Sequence, residues 1–182
     1  LNHTLYSSGS IVLNQRKSST VYAVLLYTFK CSEGLENKFS VGGRMYDFTK
    51  AFDTVSHKIL LQKLKHYGFQ DSSVALMKSY LDKRYQAVCL EGSVSTFQLM
   101  EHGVPQGLVL GPLLFIIYAN DLPNAIQSES VEAYQFADDL ALAVCERGSM
   151  ALNLRMDGLS NIIRDWSEAN SLCLNEAELL GI

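Results

Sequence analysis

The stretch that decides the fold is Val131-Glu132-Ala133-Tyr134-Gln135-Phe136-Ala137-Asp138-Asp139-Leu140-Ala141-Leu142-Ala143-Val144-Cys145. Two short strand-forming runs, Val131 to Phe136 and Leu140 to Cys145, flank an acidic pair, which is the pattern of a β-hairpin. Tyr134, Phe136, Leu140, Leu142 and Val144 give it apolar side chains to pack on a core, so the tip is expected to be held rigidly. Two adjacent carboxylates in a tight turn repel each other unless solvent or a cation offsets the charge. Asp is also an ordinary turn residue, and taken alone the pair reads as a solvated turn.

Working outward, Val41 to Phe48 reads as a strand entered through Gly42-Gly43 and closed by Asp47. Before it, residues 1–20 are polar and Ser-rich, a loop, and Val21 to Phe29 begins a helix running towards Leu35. After it, Ser56 to Tyr67 places Leu60, Leu64 and Tyr67 on one helical face, with Gly68 as the stop. Asp71 is expected to cap a second helix carrying Val74, Met77 and Leu81 on one side. Tyr85 to Leu90 and Ser95 to Met100, joined at Glu91-Gly92, read as another hairpin. Gly103 to Pro112 forms a loop into an apolar helix from Leu113 to about Asn120, where Pro112 suits the first turn. Met150 to about Glu168 repeats Leu152, Met156, Leu159, Ile162, Ile163 and Trp166 at helical spacing. This succession predicts an α+β fold: a small antiparallel sheet with helices on one face.

The bulk properties fit one globular unit. The 182 residues are 48% hydrophobic and 19% charged, with three prolines, which excludes collagen-like and disordered chains. The longest apolar run, Leu108 to Ala119, is broken by Gly111 and Pro112 and is too short to cross a bilayer. No secretory signal pattern is visible at the N-terminus. Cys31, Cys89, Cys145 and Cys173 lie far apart, so they read as small buried hydrophobes in a reducing, intracellular setting. Net charge is −4 but uneven: residues 54–90 carry six Lys or Arg against two acids, and residues 121–182 carry three Arg against eleven acids. An acidic chain argues against strong nonspecific binding of nucleic acid. The basic stripe beside an acidic half fits a polyanion held near divalent metal, or simply two solvated faces.

Taken alone, Asp47 reads as a strand-end cap; facing the carboxylates of a neighbouring hairpin, it would have a geometry suited to a hard divalent cation. Mg²⁺ takes oxygen ligands and is usually held by one or two carboxylates plus substrate phosphates. Two such ions about 4 Å apart activate an attacking hydroxyl and stabilise the leaving oxygen in phosphoryl transfer. The loop Gly103-Val104-Pro105-Gln106-Gly107-Leu108-Val109-Leu110-Gly111-Pro112 lets backbone approach a flat ligand, while the Gln106 amide offers donors and an acceptor.

These strings carry a family resemblance. Tyr46-Asp47-Phe48-Thr49-Lys50-Ala51-Phe52-Asp53-Thr54-Val55-Ser56-His57 resembles motif A of the reverse transcriptases of non-LTR, jockey-like retrotransposons. Gly103 to Pro112, continued through Tyr118-Ala119-Asn120-Asp121-Leu122-Pro123, resembles motif B. Phe136-Ala137-Asp138-Asp139 resembles motif C, and Trp166, Asn170, Leu172, Leu174 and Asn175 resemble motif D. The motifs occur in the family's order.

The resemblance implies an RNA-directed DNA polymerase: two-metal transfer of deoxynucleotides to a primer 3′-hydroxyl on an RNA template. Its partners would be RNA template, DNA primer and deoxynucleoside triphosphates, with no membrane, and its cofactor two Mg²⁺ ions, with Mn²⁺ as substitute. Asp47, Asp138 and Asp139 would be the catalytic, metal-binding acids, with the Phe48 carbonyl also facing metal. Phe52 would be the gate crowding a ribose 2′-hydroxyl, and Gln106 and Gly107 would line the nucleotide pocket. The fold implied is a polymerase palm, residues 41–182, with an inserted helix pair at about 56–83 whose lysines reach backbone phosphate. Residues 1–40 would be a partial fingers segment, and no thumb follows.

Departures from the family pattern are equally specific. Leu108 stands where motif B usually has Ser, and Asn175-Glu176-Ala177-Glu178 offers no Lys where motif D supplies one. With the missing thumb, these suggest a truncated or decayed copy, and nothing resembles an endonuclease. The alternative is a catalytically inactive nucleic-acid-binding remnant. A helix-turn-helix built on Lys58, Lys63, Lys65, Lys78, Lys83 and Arg84 is a further reading, against which packing on a sheet explains the same faces. An RNA-dependent RNA polymerase is disfavoured by Phe52, and a group II intron enzyme by Val109-Leu110-Gly111-Pro112.

Overall fold

A computed structural model describes residues 20–106, 109–175 and 180–181. In chain order the elements are α1 (Thr20–Glu36), β1 (Ser40–Tyr46), α2 (Ala51–Thr54), α3 (His57–His66), α4 (Asp71–Leu81), β2 (Tyr85–Gln86), β3 (Cys89–Leu90), β4 (Ser93–Val94) and β5 (Gln98–Leu99). They continue with α5 (Leu110–Ala119), α6 (Leu122–Ile126), β6 (Val131–Phe136), β7 (Asp139–Glu146), α7 (Ser149–Ala169) and β8 (Leu180–Gly181). The main sheet is antiparallel, with strand order β6-β7-β1-β8. The 85–99 hairpin forms as expected around Glu91-Gly92, but its ladder breaks into two short pieces, β2 with β5 and β3 with β4.

Local chemistry explains most boundaries. The Ser56 hydroxyl accepts from Ile59 N at 3.5 Å to cap α3. Gly68, at φ +84°, ends the same helix, and the N–H groups of Tyr67, Gly68 and Phe69 return to Lys63, Lys65 and Leu64 carbonyls. Asp71 lies inside the first turn of α4; Gln70 holds the cap position and makes no side-chain cap bond. The carboxylate still opposes the positive end of the helix there. The apolar helix of motif B begins at Leu110, earlier than the expected Leu113, with Pro112 in its first turn. Short α2 and α6 were not legible because four or five residues cannot display a 3.6-residue period.

Side chains alternate across the sheet, and the alternation assigns its faces. On one side Arg44 and Tyr46 reach Ser160 of α7. On the other side α1 packs, with Tyr27 edge-on to Tyr134 at 6.0 Å and Lys30 within 3.5 Å of Glu132. Helices therefore lie on both faces, not on one as the sequence suggested, because Tyr27, Lys30 and Gly34 of α1 meet side chains of β1, β6 and β7 on the second face. The main core lies between the sheet, α3, α5, α6 and α7, around Phe48, Leu60, Leu64, Phe115, Tyr118, Leu142 and Trp166. Ile162, expected on the apolar face of α7, is 41% exposed. The cysteine expectation fails in part: Cys145 is buried, but Cys89 and Cys173 are exposed, and all four are free.

Candidate active site

The register brings the acids together. β1 and β7 pair as far as Tyr46 opposite Leu140, and one residue beyond each stand Asp47 and Asp139. β6 and β7 close at Phe136 opposite Asp139, so Ala137 and Asp138 form a two-residue turn. Because Tyr46 and Leu140 point into the core, Asp47 and Asp139 point to the opposite face, where Met45 is 43% exposed. Asp47 and Asp138 are half-buried and Asp139 is exposed. Partial burial, then the charges of Asp138 and Asp47, push the Asp139 carboxyl above the usual carboxylate range. Asp139 thus feels both other acids.

The turn is strained. Ala137 sits at φ +51°, a left-handed conformation normally taken by glycine at the first central position of such turns. The Gln135 side-chain amide donates to its carbonyl at 3.2 Å.

A returning segment pins Asp47 from the other side. Phe48 bridges Leu174, flanked by Thr49 N donating to Cys173 O at 2.8 Å and Asn175 N donating to Asp47 O at 2.9 Å. Neither bond uses the Phe48 carbonyl, while the Phe48 ring is buried against Trp166 at 6.1 Å. The Asn175 side-chain amide also donates to Asp47 Oδ2 at 3.3 Å.

The motif B loop is stapled to motif A. Gly103 N donates to Val55 O at 2.8 Å and Val104 N to Phe52 O at 2.7 Å, and His57 Nε2 lies 2.7 Å from Gly103 O. Gly103 has φ +88°, and a Cβ there would meet the Asp53 carbonyl at 2.8 Å, so only glycine fits. The exposed Gln106 amide donates to Asp53 Oδ1 at 3.1 Å. Phe52 is half-buried against Phe115, ring centroids 4.8 Å apart. The expectations for Gly107, Leu108 and Glu176 to Glu178 fall outside the described residues, as does the whole segment before residue 20.

The basic stripe loses one of its lysines to the core. Lys63 is fully buried, its Nζ 2.7 Å from Asp121 Oδ1 and 2.6 Å from Tyr118 O. It also lies 5.0 Å from the ring centroids of Tyr118 and Trp166. Burial pulls its pKa down, and Asp121 partly restores it. This lysine is therefore withdrawn from any phosphate- or duplex-binding surface, whereas Lys58, Lys65, Lys78 and Lys83 remain exposed. Its place three residues after Leu60 and one before Leu64, on the apolar stripe of α3, was the available signal. α3 also packs on α4 and α5, so packing in the fold accounts for the apolar faces on which the helix-turn-helix reading drew.

The donor set suits a hard cation in chemistry. Among the described residues no three acids, histidines or cysteines close into a ready-made cage. An open arrangement of carboxylates fits Mg²⁺, which retains water and completes its shell with substrate phosphate oxygens. Among the described residues no helix is long and apolar enough to cross a membrane.

Known proteins place the chain. Residues 33–177 match the family described as reverse transcriptase (RNA-dependent DNA polymerase). The chain is 31% identical over 148 residues to the RNA-directed DNA polymerase from mobile element jockey of Drosophila melanogaster, covering 79% of the chain and 16% of that protein. It is 34% identical over 157 residues to the probable RNA-directed DNA polymerase from transposon BS of the same fly, covering 81% and 17%. It thus spans about a sixth of the relatives' length. In fold it is similar to apo telomerase from Candida tropicalis, with a TM-score of 0.67 at 14% identity over 93% of this chain and 34% of that one. With the motif order, the converging acids and these matches together, the chain belongs to the reverse transcriptase (RNA-dependent DNA polymerase) family.

Proposed function

We propose that this chain forms the palm of an RNA-directed DNA polymerase, extending a DNA primer with deoxynucleoside triphosphates on an RNA template. The observation that carries the reading is the meeting of Asp47 with Asp138 and Asp139 at one end of the sheet, close enough for Asp139 to feel both charges. Residues 41–182 are the palm, interrupted by the helix pair at about 56–83, and the segment to residue 40 belongs to the fingers. Asp47 and Asp138 hold divalent metal together with the Phe48 carbonyl, and Asp139 stands beside the primer terminus. Bound Mg²⁺ or Mn²⁺ would activate the primer 3′-hydroxyl and neutralise charge on the departing pyrophosphate.

The protein's own residues position the reactants, which is where most catalysis of phosphoryl transfer lies. Phe52, braced on Phe115, crowds a ribose 2′-hydroxyl. Gln106, held by Asp53, offers its amide to the nucleotide, and Gly107 is assigned to the same pocket by the family motif. Exposed Lys58, Lys65, Lys78 and Lys83 supply contacts to template and primer phosphates.

Primer extension on an RNA template with Mg²⁺, comparing the chain with Asp138→Ala, tests the assignment. Incorporation that depends on Asp138 is expected; equal incorporation by both proteins discards the role given to the acids.

A further inference from the structure

We infer that Asn175 is a positioning residue for Asp47, fixing the carboxylate through which metal is held. The inference rests on the reading of Asp47 as a metal-binding acid. The Asn175 side-chain amide donates to Asp47 Oδ2 at 3.3 Å, while its backbone N–H donates to Asp47 O at 2.9 Å. Among the described residues Asp47 Oδ1 accepts no hydrogen bond, so one oxygen is tethered and the other is left for a cation. A neutral amide restrains the carboxylate without cancelling its charge. A lysine at the same distance would compete with the metal.

The amide comes from a braced segment. Tyr118 OH donates to Asn170 O at 2.5 Å, and Leu172 N donates to Ser167 O at 2.9 Å, tying the end of α7 to α5 and to its own last turn. Leu172 is buried, and the Phe48–Leu174 bridge aligns the next residues with motif A. The Asp47–Asn175 contact therefore joins two braced elements, and its loss frees the carboxylate at an open strand end. Hydrogen bonds of this kind to metal-binding side chains are worth about tenfold or more in metal affinity.

The test is Mn²⁺ binding to the full chain, read by the loss of the free-ion electron paramagnetic resonance signal, with no substrate present. Asn175→Leu and Asn175→Ala are expected to weaken Mn²⁺ binding about tenfold, and Asn175→Gln, which retains a donor, to recover part of the loss. Folding is monitored by circular dichroism on the same samples. Asn175→Ala adds no bulk and serves if Asn175→Leu does not fold. Wild-type affinity in a folded Asn175→Ala protein, alongside lost binding in Asp47→Asn, overturns the inference while leaving the metal reading standing. Unchanged binding in Asp47→Asn overturns the metal reading itself, and this inference with it.

Discussion

Replacing Lys63 with methionine keeps the alkyl chain that fills the core and removes only the ammonium group. That group touches Asp121 Oδ1 at 2.7 Å and Tyr118 O at 2.6 Å, and the side chain has no solvent exposure. In Lys63→Met the Asp121 carboxylate, only 7% exposed, is left buried without its counter-charge. Breaking a buried pair in this way costs about 3–5 kcal/mol. A domain of this size is stable by about 5–15 kcal/mol, so the loss is a large fraction of the whole. Lys63→Met combined with Asp121→Leu removes both charges and should return to within about 1 kcal/mol of wild type or exceed it, because no buried ion then lacks a partner. Urea unfolding followed by far-ultraviolet circular dichroism and by tryptophan fluorescence measures both proteins. The single tryptophan, Trp166, lies 5.0 Å from the Lys63 ammonium and so reports the site directly. A single variant within 1 kcal/mol of wild type, by this estimate of about 3–5 kcal/mol, or a double variant no better than the single, would refute the argument.

The remaining predictions concern the turn, the loop and the acids. Ala137→Gly relieves the φ +51° strain and should stabilise the chain by about 1 kcal/mol, raising the urea midpoint. Gly111→Ala should destabilise by about 2 kcal/mol and lower Tm by several degrees, because the new Cβ would run into the Pro105 carbonyl, outweighing the gain in helix propensity. Asp139 has its folded pKa raised, so the folded chain binds this proton more tightly than the unfolded chain. Its contribution to stability is full below the unfolded value and fades as pH rises through the folded one. Asp139→Asn should therefore gain on wild type as pH climbs above the usual carboxylate value of about 4, and parallel urea midpoints across that range would contradict this.

Two local patterns made most of the fold legible in the sequence. Two strand-forming runs, Val131 to Phe136 and Leu140 to Cys145, on either side of an acidic turn announced the hairpin. The 3.6-residue spacing of Leu60, Leu64, Met156, Leu159, Ile163 and Trp166 announced α3 and α7. Family motifs located the acids, but a motif is a string and does not state which oxygens meet. The roles proposed for Asp47, Asp138 and Asp139 rest on their shared sheet end rather than on spacing.

Sequence by itself determined the α+β class, the order of the longer elements and the chemical types at the site, because these follow from periodicity, turn residues and side-chain chemistry within short windows. Tertiary structure alone decided that Lys63 is a core ion partner of Asp121, 58 residues away, and not part of a solvated stripe. It also decided that Asn175 meets Asp47 across 128 residues, and that α1 covers the second face of the sheet. The physical reason is that burial and partner choice depend on which surfaces meet after the chain folds back on itself. A residue's local spacing is the same whether its charge ends in water or against a carboxylate brought from a distant helix.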